Sequence, residues 1–269
     1  MTKSEAILDS RLAWAREVAT AAGKITLEFF QSSDLKVDRK SDASPVTEAD
    51  RAAELLIRAR IESVFPHDGW VGEEFGIREG TSGYRWIIDP IDGTKSFVSG
   101  VPLYATLIGL EYEGDAVLGV IHLPALDEMV FARKGGGAWH ARGSAPPERT
   151  RVSNIDRIED GLLVTTQMDL FAQRDARSAF DSLADRAWVM RTWGDAYGYF
   201  LVATGRAAAM VDPIMNLWDA AAILPVIEEA GGKFTDWKGR ATIHGGEGVA
   251  SNGAIHDQTL AVLNSTESR

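Results

Sequence analysis

The segment Trp86–Ile87–Ile88–Asp89–Pro90–Ile91–Asp92–Gly93–Thr94 constrains the fold more than any other. Three large apolar residues mark a strand entering a core, yet the run ends in two aspartates three positions apart, with apolar Pro90 and Ile91 between them. Carboxylates fixed close together at the edge of a core repel one another unless a proton or a cation intervenes. Hard divalent cations such as Mg²⁺ take oxygen ligands, and a second ion about 4 Å away makes a two-metal clamp suited to phosphoryl chemistry.

Other acidic motifs do not fit these letters. A calcium loop of the EF-hand type starting at Asp89 needs glutamate at its twelfth position, where Gly100 stands. Phosphatases with an aspartyl nucleophile place their aspartates two apart, and here the gap is three. With no cysteine and only 5 histidines, nothing points to zinc. The same lack of cysteine fits a reducing compartment.

A formal charge of −11 and a pI near 5.0 argue against bare nucleic acid or an anionic membrane as a partner. An anionic substrate would need a local reversal of that field. The start, MTKSEAILDSRLAWAREV, is charged throughout and unlike a signal peptide, and no segment is long and apolar enough to span a bilayer, so a soluble, cytoplasmic chain is expected.

Apolar residues at roughly helical spacing predict one long helix from Ser4 to Phe30 and a second, capped by Thr47, to Phe65. Alternating runs between 85 and 140 predict strands of an antiparallel sheet. The stretch Arg142 to Thr150, with two prolines and a glycine, reads as a linker. Beyond it, short strands alternate with helical segments near 174–185, 194–205, 217–230 and 254–264. The expected division is an α+β unit over 1–145 and an α/β unit over 146–269, sharing a cleft.

Further carboxylates lie beside turns: Asp50, Glu73, Glu74 and Asp219. Each also has an ordinary reading. Asp50 completes a helix N-terminal box with Thr47, Glu73 and Glu74 are solvated loop charges, and Asp219 complements a helix dipole.

Together, Gly72–Glu73–Glu74, Asp89–Pro90–Ile91–Asp92–Gly93–Thr94 with Phe97 downstream, Trp218–Asp219–Ala220–Ala221–Ala222 through Gly232, Val46–Thr47–Glu48–Ala49–Asp50 and Leu201 to Gly205 resemble the inositol-monophosphatase family of Mg²⁺-dependent, lithium-sensitive phosphatases. The resemblance covers nearly the whole chain. It implies a layered αβαβα sandwich, often a homodimer, with two to three Mg²⁺ ions per site. By position it makes Glu73, Asp89, Asp92 and Asp219 metal ligands, with the Ile91 backbone carbonyl also on a metal. Thr94, paired with Asp50, would orient and help deprotonate the attacking water, and the Gly93 and Thr94 N–H groups would hold the phosphate. The substrate is then a small phosphate monoester.

Trp193–Gly194–Asp195 with Tyr197, and Asp92 to Pro102, resemble the histidinol-phosphate phosphatase branch of that family. Asp195, Ala196 and Asp212 are the expected contacts to the leaving group, whose ammonium and imidazole suit acids. Tyr197, Trp193 and Tyr104 are candidates to flank the ring. Asp195 as a plain helix cap is the competing reading. Inositol monophosphatase is the alternative activity, and a non-catalytic phosphate-ester-binding regulator of the same fold is the alternative class. Pro225, inside the helix expected after Asp219, predicts a kink or a later helix start.

Overall fold

The computed structural model describes residues 2–39 and 45–265. Helix α1 (Lys3–Phe29) is capped by Thr2 in a box with Glu5 and buries Leu12, Ala15, Val18, Ala19 and Ala22. Strands β1 (Val37–Arg39) and β2 (Pro45–Thr47) form a small antiparallel pair leading into helix α2 (Glu48–Val64). Then come β3 (Gly69–Gly72), β4 (Gly76–Arg78), β5 (Tyr84–Asp92), the short helix α3 (Thr94–Val98), β6 (Ala105–Tyr112), β7 (Asp115–Leu123), β8 (Glu128–Arg133), β9 (Gly137–Arg142) and β10 (Glu148–Arg149).

Eight of these strands make one sheet in the order β10-β9-β8-β7-β6-β5-β3-β4. Its pairings are antiparallel except β3 with β5, so the expected antiparallel sheet contains one parallel pair. The stretch read as a linker is not one. Glu148 and Arg149 pair with His140 and Trp139, so Pro146 and Pro147 sit in the turn leading to an edge strand, where proline costs no ladder bond. The expected boundary between residues 145 and 146 falls inside that same turn.

The remaining elements are β11 (Leu162–Val164), α4 (Met168–Gln173), α5 (Arg177–Arg186), β12 (Val189–Arg191), α6 (Asp195–Ala203), β13 (Ala209–Asp212), α7 (Leu217–Glu229), β14 (Lys233–Thr235), β15 (Gly248–Ser251) and α8 (His256–Asn264). A second sheet runs β12-β11-β13-β15-β14, parallel across its first three strands and antiparallel around β15.

Three apolar clusters separate the layers. One lies between α1, α2 and the outer face of the large sheet. A second joins the large sheet, α6, α7 and the inner face of the small sheet, and the third lies between the small sheet and α4, α5 and α8. The result is a layered αβαβα sandwich, as expected. Trp86 of β5, fully buried against Trp14 and Phe65, anchors the outermost interface, and truncating such a side chain costs about 3–5 kcal/mol.

Two contacts set where α7 lies. Gly109 of β6 and Gly119 of β7 face each other across the ladder, and the helix backbone rests directly on them. A Cβ on Gly119 would stand 1.9 Å from the Ala222 carbonyl oxygen, and one on Gly109 would stand 2.7 Å from the Ala221 carbonyl carbon. The helix starts at Leu217 and continues through Pro225, so the later start allowed by that proline does not occur.

Candidate active site

Side chains alternate along a strand, so residues three apart should point to opposite faces. Asp89 and Asp92 nevertheless both reach one cluster. The register of β5 against β6 shifts between them, with Asp89 opposite Leu107 and Asp92 opposite Ala105. That bulge resets the alternation and aims both carboxylates the same way. Pro90 fits there because it has no N–H to lose, and the Thr106 hydroxyl donates to its carbonyl at 2.9 Å. Gly93 then turns the chain into α3 with φ +86°, where an added Cβ would meet Asp195 Oδ2 at 3.0 Å and the Leu103 carbonyl at 3.2 Å.

Asp219 arrives from the middle layer. It is the third residue of α7, where one carboxylate oxygen accepts from the Asn216 backbone N–H at 2.7 Å. It thus serves the helix terminus as the ordinary reading supposed, and also joins the cluster. Asp89, Asp92 and Asp219 offer oxygens that all lie within 4.8 Å of one another. Glu73, just past β3, stands beside Asp89, whose carboxyl it helps to raise.

These acids open onto a cavity of about 760 Å³ between the two sheets. Its walls carry the carboxylates of Glu73, Asp89, Asp92, Asp195, Asp212 and Asp219, the backbone of Ile91 and Gly93, Thr94, Ala196, and, among the described residues, one basic side chain, Lys95. Burial and the neighbouring Glu73, Asp92 and Asp219 hold Asp89 well above the usual carboxylate range. Burial, Asp195 and Asp219 do the same to Asp92. Asp219 is pushed up to about 7 by burial and by Glu73, Asp212 and Asp195, against the Asn216 N–H bond.

The second sheet and α6 hold the other two acids. Asp212 ends β13, and both of its oxygens are engaged: one accepts from the Thr166 N–H at 3.1 Å, the other from the Tyr199 hydroxyl at 3.0 Å. Burial raises it to about 6 despite those bonds. Asp195 does not cap α6. The cap position is Gly194, and Asp195 is the first helical residue at φ +52°, a left-handed conformation that aspartate tolerates better than most residues. Burial and Asp212 raise it to about 7, while Lys95 opposes the shift. Ala196 lines the cavity and gives its N–H to Asp92.

Asp50 is fully buried and does not line the cavity. Its Oδ2 accepts from the Thr47 N–H at 2.8 Å and the Thr47 hydroxyl at 2.6 Å, the box read from the sequence. Its Oδ1 has no hydrogen-bond partner among the described residues. The expected pairing with Thr94 is not made there, because the Thr94 hydroxyl donates instead to the Ile91 carbonyl at 3.0 Å. That carbonyl keeps a second lone pair.

Of the aromatics offered to flank a ring, only Trp193 reaches the cavity. Tyr104 is a core residue bonded to Thr26 and packed on Phe30 and Phe97, and Tyr197 packs against Phe200. Lys95, Thr166, Gln167 and Tyr199 belong to the cavity and were not anticipated. Lys95 follows Thr94 directly and Tyr199 follows Asp195 by one helical turn, so both could have been reached from residues already chosen.

A cluster of oxygen donors that repel one another, together with the carbonyl of Ile91, fits a hard divalent cation and offers nothing to a soft one. Such a site between the sheets of an αβαβα sandwich suits the metal-assisted chemistry of a phosphatase. Residues 7–268 match the model of the inositol monophosphatase family. The chain is 46% identical over 254 residues to a histidinol-phosphatase of Chlorobaculum parvum, spanning 94% of this chain and 96% of that one. It is 40% identical over 250 residues to a histidinol-phosphatase of Mycobacterium tuberculosis, spanning 93% and 96%. Among solved structures, the extragenic suppressor protein suhB from Bartonella henselae superposes with a TM-score of 0.87 at 29% identity, over 96% of this chain and 99% of that one. The chain belongs to the inositol monophosphatase family.

Proposed function

We propose that this chain is a Mg²⁺-dependent phosphomonoester hydrolase whose substrate is L-histidinol phosphate, releasing L-histidinol and phosphate. The observation that carries the reading is the division of the acids around one cavity. Asp89, Asp92 and Asp219 cluster at the sheet end, while Asp195 lies over Gly93 beside Asp212, free of any capping role. The first group, with Glu73 and the Ile91 carbonyl, suits the cation. The second suits a leaving group that carries an ammonium and an imidazole.

When bound, Mg²⁺ supplies the positive charge that polarises the phosphoryl oxygens, activates a water and stabilises the leaving alkoxide. The N–H groups of Gly93 and Thr94 hold the phosphate oxygens, and Lys95 at the rim attracts the dianion. Thr94, whose proton is committed to the Ile91 carbonyl, accepts a hydrogen bond from the attacking water and so aims its lone pair at phosphorus. Asp195 and Asp212 fix the cationic end of the substrate, holding the scissile P–O bond in line. Trp193 offers an aromatic wall at the mouth.

The test is kcat/KM for L-histidinol phosphate and for myo-inositol 1-phosphate, with Mg²⁺ and with excess chelator. The reading requires a histidinol phosphate preference that chelator abolishes. A tenfold preference for the inositol ester overturns the substrate, full activity in chelator overturns the metal, and turnover of neither ester favours a binding protein.

A further inference from the structure

Glu54 has no part in the reaction described above, yet it is placed with unusual care. It follows Asp50 by four residues on α2, so the two carboxylates leave the same face of the helix, and both are fully buried. A buried carboxylate is costly unless hydrogen bonds satisfy it. Glu54 finds its donors in a backbone turn. Its Oε2 accepts the N–H of Glu74 at 2.8 Å and its Oε1 accepts the N–H of Phe75 at 3.1 Å.

That turn joins β3 to β4 and contains Glu73, whose own N–H donates to the Ile88 carbonyl at 3.3 Å. The space for the clamp is made by Gly72. A Cβ there would stand 2.0 Å from Glu54 Oε1, 2.4 Å from the carboxyl carbon and 2.9 Å from Oε2. Its backbone is not left-handed, so this glycine is required for room and not for conformation. The motif Gly72–Glu73–Glu74 thus divides into a cradle, an acid facing the cavity and an N–H held from behind.

We propose that Glu54 is a positioning residue that fixes the Glu73 carboxylate against Asp89 by clamping the turn after β3. Glu73 and Asp89 are both acids and repel each other when ionised, and without the clamp the turn would be freer to yield to that repulsion. With the two N–H groups anchored on Glu54, the turn cannot retreat, and the cluster stays assembled for a cation. The proposal rests on the reading of these acids as metal ligands.

The experiment is isothermal titration calorimetry of Mg²⁺ into the purified full chain without substrate, paired with thermal melts in chelator. Glu54→Gln keeps the volume but replaces one acceptor by an amide that faces an N–H. It should weaken Mg²⁺ binding by about 10- to 100-fold, the range for residues that orient metal ligands, while kcat at saturating Mg²⁺ largely recovers. Gly72→Ala should do the same by displacing the carboxylate. If Glu54→Gln does not fold, Gly72→Ala and Glu54→Asp, one methylene short of the turn, carry the test. Wild-type Mg²⁺ affinity in folded variants, with only the melting temperature lowered, would make Glu54 merely structural and overturn the proposal. A wild-type chain that binds no Mg²⁺ overturns the metal reading and the proposal together.

Discussion

The backbone N–H of Ala196 donates to the carboxylate of Asp92, tying the first turn of α6 to the end of β5 across the interface between the two sheets. One acid therefore serves two purposes, as an acceptor that docks a helix and as a member of the cluster. Asp92→Asn separates them. The amide oxygen can still accept from Ala196, but the charge that repels Asp195 and Asp219 is gone. Phosphatase turnover with Mg²⁺ should fall by about 10³-fold or more, some 4 kcal/mol of transition-state stabilisation. The melting temperature in chelator should rise by a few degrees. An active variant, or one less stable than wild type in chelator, would contradict this assignment.

Burial raises several carboxylates together, with repulsion from neighbouring acids adding to it at all but Asp212: Asp50 and Asp212 to about 6, Glu54, Asp195 and Asp219 to about 7, and Asp89 and Asp92 well above the usual range. Between their ordinary values and these raised ones the folded chain binds more protons than the unfolded chain. Stability from these groups is therefore full below about pH 4 and is lost as pH rises through about 6 to 7 and beyond. Mg²⁺ reverses the effect, since it needs the ionised ligands and displaces their protons. Calorimetric melts should show a metal-free protein losing stability from about pH 5.5 to pH 8, and a Mg²⁺ stabilisation that is larger at pH 8. An equal Mg²⁺ shift at both pH values would count against a carboxylate site.

Most of the layered fold was legible because its elements carry local signals. Thr47 announces α2, the alternating runs announce β5 to β9, and the cluster acids stand beside turns. What escaped is what only packing decides. Glu54 lies next to the apolar stripe of Ala53, Ile57 and Ile61 and reads as an ordinary surface glutamate until the turn after β3 folds over it. The prolines of 142–150 mark a chain reversal equally well for a linker or for a turn into an edge strand. Tyr104 resembled a ligand aromatic, but its hydroxyl is taken by Thr26. A spacing of three puts strand side chains on opposite faces, and the bulge that brings Asp89 and Asp92 together is a property of the pairing with β6.

Because Gly119 lies directly beneath the Ala222 carbonyl, α7 can approach the large sheet only if that position has no side chain. Gly119→Ala forces the helix outward. Overpacking of this kind costs about 1–3 kcal/mol, to be read as a lowered urea midpoint at unchanged slope. The helix also carries Asp219, so Mg²⁺ affinity should weaken in the same variant. A cost below about 0.5 kcal/mol, the ordinary range for surface changes, would mean that α7 is not held by this contact.

Asp195 separates substrate choice from the phosphate machinery. Its carboxylate rests against Gly93 and faces the cavity, and its backbone sits at φ +52°. Alanine would confound the loss of charge with a left-handed backbone it tolerates poorly, whereas asparagine is at ease there. Asp195→Asn therefore removes only the charge. A charge-assisted hydrogen bond to the ammonium or imidazole contributes about 1.5–3 kcal/mol, so kcat/KM for L-histidinol phosphate should drop about 10- to 100-fold. An ester with a neutral leaving group makes no such bond. Its kcat/KM should stay within about threefold, or improve as repulsion with Asp212 and Asp92 is relieved. Parallel losses on both esters would place Asp195 in the shared phosphate site and leave the choice of leaving group to other residues around the mouth.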